Sequence, residues 1–231
     1  MFRNLSERVA KIDKYPIFAK YPVKGIKNII FDLGGVIIDL DMQATISAFN
    51  KLSSVRFEEF YTQATQIELF NAFDKGTISE LDFFAELRSL IRYKGDDEHL
   101  LLAWNAMLGD IPEHRLDMLV EAKQNYSTFL LSNTNETHIT AFEHSLYVDH
   151  GVKHFSDYFD GLYYSCRWGK RKPNRDIFEM VLEKHKLLPQ ETVFIDDSEQ
   201  HVKGAGECGI NAYLLPKNME VADLLKELNL L

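Results

Sequence analysis

The sequence predicts an α/β fold: a parallel sheet with helices on both faces and a purely helical segment inserted after the first strand. Two observations carry this. Short apolar runs (NIIF, TFLL, LYY, TVFI and NAYLL) recur along the chain with amphipathic stretches between them. Such alternation folds as parallel strands joined by crossover helices that cover the sheet. Between Met42 and Ile111 the alternation stops, and apolar residues fall three and four apart in EEFYTQATQIELFNAF and LDFFAELRSLI, the period of amphipathic helices. The expected organisation is an N-terminal extension over residues 1–23, a Rossmann-like core from 24–41 and 112–231, and a helical insert over 42–111.

Each element has its own reason. Residues 1–23 mix basic, aromatic and proline positions, with Ser6 and Glu7 able to start a short helix. The first strand is expected over Ile26–Leu33, an apolar run closed by Gly34 and Gly35; apolar on both faces, it reads as a central strand. In the insert, Asp74-Lys75-Gly76 makes a turn and Thr77-Ile78-Ser79-Glu80 starts a helix, so at least two helices are joined by a short loop. Trp104, Phe83 and Phe84 are expected in the core of the insert rather than as a stacking platform. After Pro112 an amphipathic helix leads to a strand at Ser127–Leu131, and GLYYS, TVFID and NAYLL supply the remaining strands. The string GAGECG at 204–209 matches GxGxxG, but SEQHVK separates it from the preceding strand. It therefore reads as a helix end closing at Gly209 rather than a dinucleotide turn.

Composition narrows the partners. With 231 residues, 45% of them hydrophobic and 26% charged, the chain fits one core plus one insert of an ordinary globular protein. A net charge of -9 disfavours nucleic acid and anionic membranes as partners, whereas a small anion needs only a local positive pocket. The N-terminus has no apolar signal-like stretch and no run of 18 uncharged apolar residues occurs, so neither secretion nor membrane insertion is expected. Two cysteines without a CxxC pair suggest no disulfide scaffold and fit a cytoplasmic setting. His144, His150 and His154 lack the spacing and companions of a zinc site.

In an open parallel sheet, ligands bind where the strands end. Those ends carry Asp32 after NIIF, Ser132-Asn133-Thr134 after FLL, Lys172 in GKRKP after LYYS, and Asp196-Asp197 after VFI. An aspartate before two glycines is ordinarily a turn former, and an aspartate after a strand is often a helix cap. Together, however, these residues meet the needs of phosphoryl transfer. A carboxylate such as Asp32 can attack phosphorus and divide one hard displacement into two easier ones. Asp32, Asp196 and Asp197 offer the hard oxygen ligands of Mg²⁺. The Ser132 hydroxyl with neighbouring backbone N–H groups, and the Lys172 ammonium, neutralise phosphoryl oxygens. Lys170 and Arg171 compete with Lys172 for that role.

FDLGGV (31–36), LLSNT (130–134), GKRKP (169–173) and FIDDS (194–198) resemble, in order, the four motifs of the haloacid-dehalogenase-like hydrolase superfamily, over roughly residues 26–215. Within it the chain is most similar to the sugar-phosphate phosphatases whose first motif reads DLGNV, bacterial α-glucose-1-phosphatase among them. The resemblance implies Asp32 as nucleophile, with the Gly34 carbonyl, Asp196 and Asp197 joining it around Mg²⁺. It places Ser132, Asn133 and Lys172 on the phosphate of a small phosphorylated metabolite, selects Lys172 through its KP pairing, and makes the insert a helical cap.

One position departs from the pattern. Most phosphatases of the superfamily carry a second aspartate two residues after the nucleophile as general acid and base, and here that residue is Gly34. A proton donor worth about 10²–10⁴ in rate is left unassigned, with Asp39 and Asp41 nearby. Two alternatives to a Mg²⁺-dependent phosphatase follow: a metal-independent haloacid dehalogenase using the same aspartate on carbon, and a non-catalytic binding or regulatory module. The oligomeric state is not legible.

Overall fold

The computed structural model describes residues 24–61 and 67–231; the extension expected over 1–23 lies outside them. The apolar runs form strands β1 (Asn28–Phe31), β2 (Ser127–Ser132), β3 (Gly161–Tyr164), β4 (Thr192–Asp196) and β5 (Asn211–Leu214). All pair in parallel, in the order β3-β2-β1-β4-β5. The period-2 alternation of strand side chains divides the core. Ile29, Phe31, Leu130 and Ile195 face one side and Ile30, Phe129, Leu131 and Phe194 the other.

Helices cover both faces, as the apolar character of β1 on its two sides requires. On the first face lie α5 (Glu113–Asn125), α6 (Glu136–His150) and α10 (Val221–Glu227), packing Leu119, Phe142 and Leu225. On the second lie α8 (Arg175–His185) and α9 (Glu199–Glu207), packing Phe178 and Val202. A single turn, α7 (Ser165–Trp168), follows β3. The GAGECG string closes α9, with Gly209 at φ +86 beyond its end. Gly204, inside α9, lets the helix press on the loop holding Lys172, since a side chain there would overlap the Pro173 carbonyl oxygen.

Between β1 and β2 the chain runs through α1 (Met42–Leu52), α2 (Glu68–Asp74), α3 (Glu80–Leu90) and α4 (Asp97–Asn105). Asp41 caps α1 by accepting from the N–H groups of Gln43 and Ala44, and Ser79 caps α3 by accepting from that of Asp82. These helices enclose an apolar cluster apart from those of the sheet. It is aromatic: Phe73 stacks on Phe83 at 3.9 Å between centroids and Phe70 on Trp104 at 5.6 Å. Trp104, Phe83 and Phe84 are all buried. No helix of the described residues is long and apolar enough to cross a membrane.

β1 is shorter than the run Ile26–Leu33 that marks it in the sequence. Its ladder ends because the Leu33 carbonyl turns away to accept from the N–H groups of Val36, Ile37 and Ile38. Gly35 closes that turn at φ +71, a backbone conformation that costs a residue with a side chain roughly 1–2 kcal/mol. Asp32 is thereby the first residue past the strand, tied by its N–H to the Ile195 carbonyl at 2.9 Å. Because β1 lies between β2 and β4, with successive strands leaving in opposite directions, the ends of these three strands share one crevice.

Candidate active site

The register aligns Phe31 with both Leu130 and Ile195, which places Asp32 level with the ends of β2 and β4. Around these ends opens a cavity of about 520 Å³, lined by Asp32, Gly34, Ser132, Asn133, Lys172 and Asp197 among others. This is the size of a small-ligand pocket. Asp196, at the end of β4, is fully buried beneath it.

Lys172 joins the acids. Its ammonium lies 2.7 Å from Asp32 Oδ1 and 2.6 Å from Asp196 Oδ2, and its side chain is wholly buried. The loop holding it is fixed by Asn133, whose amide accepts from the Lys172 backbone N–H and donates to the Lys172 carbonyl, each at 2.9 Å. The side chain of Asn133 thus positions the lysine through its carbonyl oxygen and one of its two N–H groups. Of the competing cations, Lys170 pairs with Asp176 at the surface and Arg171 points to Asn71 and Asp74 on α2. Among the described residues the Ser132 hydroxyl has no hydrogen-bond partner, and it lines the cavity.

The electrostatics of the group are unbalanced. Burial pushes Asp32 well above the ordinary carboxylate range, Asp196 and Asp197 push the same way, and Lys172 opposes them. Burial opposes the charge of Asp196 too, yet Lys172 and His201 outweigh it and hold its carboxyl well below the usual range. Lys172 is raised: burial disfavours its charge, but Asp196 and Asp32 more than compensate. Asp197 is pushed up to about 6 by burial and by Asp196. Three carboxylates around one ammonium leave excess negative charge that a divalent cation would remove.

The donor set fits such a cation. Oxygens of Asp32 and Asp196 and a ring nitrogen of His201 all lie within 4.8 Å of one another. Asp197 is outside that cluster but reaches the cavity beside Gly35, where even a methyl group would come within 2.5 Å of its carboxylate. Hard oxygen ligands of this kind suit Mg²⁺. His201 Nδ1 sits 3.0 and 3.1 Å from the two Asp196 oxygens, and the Ser198 N–H donates to the same carboxylate at 2.8 Å, so His201 orients the acid.

The structure also accounts for the residues around Gly34. A side chain at 34 would overlap Leu40 Cδ1, so this wall of the pocket is apolar. Asp39 pairs with Arg115 at 2.8 Å, and Asp41 caps α1. Neither lines the cavity. Sequence reasoning missed His201, Asn71, Asp74 and Tyr61, which do.

A sequence profile of haloacid dehalogenase-like hydrolases matches residues 26–209. The chain belongs to this family. It is 30% identical over 188 residues to a D-ribitol-5-phosphate phosphatase of Bacteroides thetaiotaomicron, covering 81% of this chain and 91% of that protein. It is 25% identical over 209 residues to a sesquiterpene phosphatase of Aspergillus oryzae, covering 87% of this chain and 96% of the other. Among solved structures, a variant of a family enzyme from Bacteroides thetaiotaomicron, in complex with magnesium and inorganic phosphate, superposes with a TM-score of 0.79 at 33% identity. That match covers 87% of this chain and 98% of the other. An L-2-haloacid dehalogenase from Xanthobacter autotrophicus, at 21% identity and a TM-score of 0.53, shares the fold. The family is one of hydrolases, and Asp32, Ser132, Lys172 and Asp196 all stand within the matched residues.

Proposed function

We propose that the protein is a Mg²⁺-dependent phosphatase that hydrolyses a small sugar or sugar-alcohol phosphate through a phospho-aspartate on Asp32. The observation that carries this reading is the buried Lys172 ammonium spanning Asp32 and Asp196 at the floor of an open pocket. A lysine so placed opposes the burial and repulsion that disfavour an ionised Asp32 and presents positive charge to the phosphoryl oxygens. The relatives named for phosphate-ester hydrolysis, and the related structure holding magnesium and phosphate, support it.

Asp32 attacks phosphorus as the P–O bond to the leaving group breaks and the departing oxygen takes a proton from water; a second water then attacks the acyl phosphate, releasing inorganic phosphate and the free Asp32 carboxylate. Asp32, Asp196 and Asp197, with the Gly34 carbonyl, would hold Mg²⁺, which supplies charge neutralisation and orientation to the phosphate. Ser132 and the backbone of Asn133 receive the remaining phosphoryl oxygens. With an apolar wall at Gly34 and Leu40, no carboxylate stands there to protonate the leaving group.

A panel of phosphate esters assayed with added Mg²⁺ tests the reading. Turnover of hydroxylated phosphates is expected, abolished by EDTA and restored by excess Mg²⁺. Dehalogenation of a 2-haloacid that persists in EDTA would instead identify a dehalogenase. Phosphate binding with no hydrolysis of any ester would identify a binding module.

A further inference from the structure

The cavity has a second polar end, built jointly by the insert and the loop that carries Lys172. From α2 come Asn71 and Asp74, and from the loop comes Arg171; Tyr61 lies beside them. An Arg171 NH donates to the Asn71 side-chain oxygen. Arg171 and Asp74 stand 3.9 Å apart, too far for a hydrogen bond to each other and close enough for one ligand oxygen to reach both. Asp74 is held in place: Asn135 donates to its carboxylate at 3.3 Å, and Ser165 Oγ donates to its backbone carbonyl at 2.5 Å. Burial keeps the Tyr61 hydroxyl protonated as a donor, with Asp74 and Arg171 in its field.

We propose that Arg171, Asp74 and Asn71 form the subsite that selects a polyhydroxylated leaving group, binding its hydroxyls while the phosphate stands at Asp32. This rests on the phosphatase reading above and adds the residues that choose the substrate. A hydroxyl both donates and accepts, so it can accept from Arg171 and donate to Asp74 at once. A second anionic group would meet the Asp74 carboxylate, and a hydrocarbon chain would desolvate Asn71, Asp74 and Arg171 while offering no hydrogen bond in return for the water it displaces. A site built to hydrogen-bond hydroxyls rejects analogues lacking them strongly. Arg171 is next in sequence to Lys172, so this subsite abuts the reacting phosphate. Leu40, Met42, Met107 and Leu108 also line the cavity, apolar surface that suits the C–H side of a carbon chain.

The test compares kcat/KM of alditol phosphates with that of phenyl phosphate, whose leaving group has no hydroxyl beyond the ester oxygen. It uses the full-length wild type, Arg171→Met, Asn71→Ala and the near-isosteric Asp74→Asn. In the wild type the alditol phosphate is expected to be preferred over an alkyl phosphate of equal length. Arg171→Met and Asp74→Asn should each lower the alditol-to-phenyl ratio of kcat/KM about 10- to 100-fold, the loss of a hydrogen bond to a charged group, and Asn71→Ala about 3- to 10-fold, the loss of a neutral one. The change should fall mainly on alditol binding. If alditol and phenyl phosphates decline together, these residues only support Lys172 and the proposal is overturned. A wild type that prefers the alkyl phosphate overturns it too, assigning the pocket to an apolar group. Cleavage of no ester by a folded, Mg²⁺-loaded wild type would overturn the phosphatase reading and the subsite with it.

Discussion

Asp32→Asn is expected to lower turnover of every phosphate substrate by at least about 10³-fold, a barrier increase of roughly 4 kcal/mol, without unfolding the protein. An amide cannot form the acyl phosphate, while its shape matches the carboxylate it replaces. The stability effect is small because two changes oppose each other. Removing the charge relieves the burial and the repulsion from Asp196 and Asp197 that raise Asp32, and it also forfeits the pairing with Lys172 at 2.7 Å. Initial rates and thermal melts read the two quantities separately. Full activity in Asp32→Asn would remove the nucleophile from the account.

Lys172→Met should cost stability as well as activity. The substitution keeps the volume of the stem but leaves Asp32 and Asp196 buried with no ammonium between them. Breaking a buried ion pair by deleting one partner costs about 3–5 kcal/mol, which for a chain of this length lowers Tm by roughly 6–20 °C. Because the variant's site carries more unbalanced negative charge, added Mg²⁺ should raise its Tm by more than it raises that of the wild type. Calorimetry with and without the ion measures this. An unchanged Tm would mean that Asp32 and Asp196 are not both charged in the native site.

The core is largely legible in the sequence because its signals are local. Each strand is a short apolar run, and Asp32, Ser132 and Asp196 stand at or directly after strand ends while Lys172 lies in the loop region after β3, so the rule that ligands bind at strand ends groups the four from the sequence alone. The KP pair also separates the adjacent cations: Lys172 reaches Asp32 while Lys170 stays at the surface. What is not legible depends on contacts between distant segments. Periodicity places Asn71 on a helix, and Asp74-Lys75-Gly76 reads as a turn, but nothing local states that this segment meets the loop a hundred residues later. His201 stands in the sequence only as part of SEQHVK, between the strand and GAGECG, and only the first turn of α9 brings it onto Asp196. Proximity in sequence misleads in the opposite sense at Asp39 and Asp41, the nearest acids to Gly34, which Arg115 and a helix cap engage elsewhere. The side chain of Asn133 also bonds the Lys172 backbone, a contact that motif position alone does not determine.

The central claim is covalent chemistry on Asp32, and the most direct measurement is to quench the Mg²⁺-loaded enzyme during turnover and map its peptides by mass spectrometry. One added phosphoryl group is expected on the peptide containing Asp32, removed by hydroxylamine as an acyl phosphate should be and absent from Asp32→Asn. A hydroxylamine-resistant phosphoryl group on another residue, such as Ser132 or His201, would contradict it.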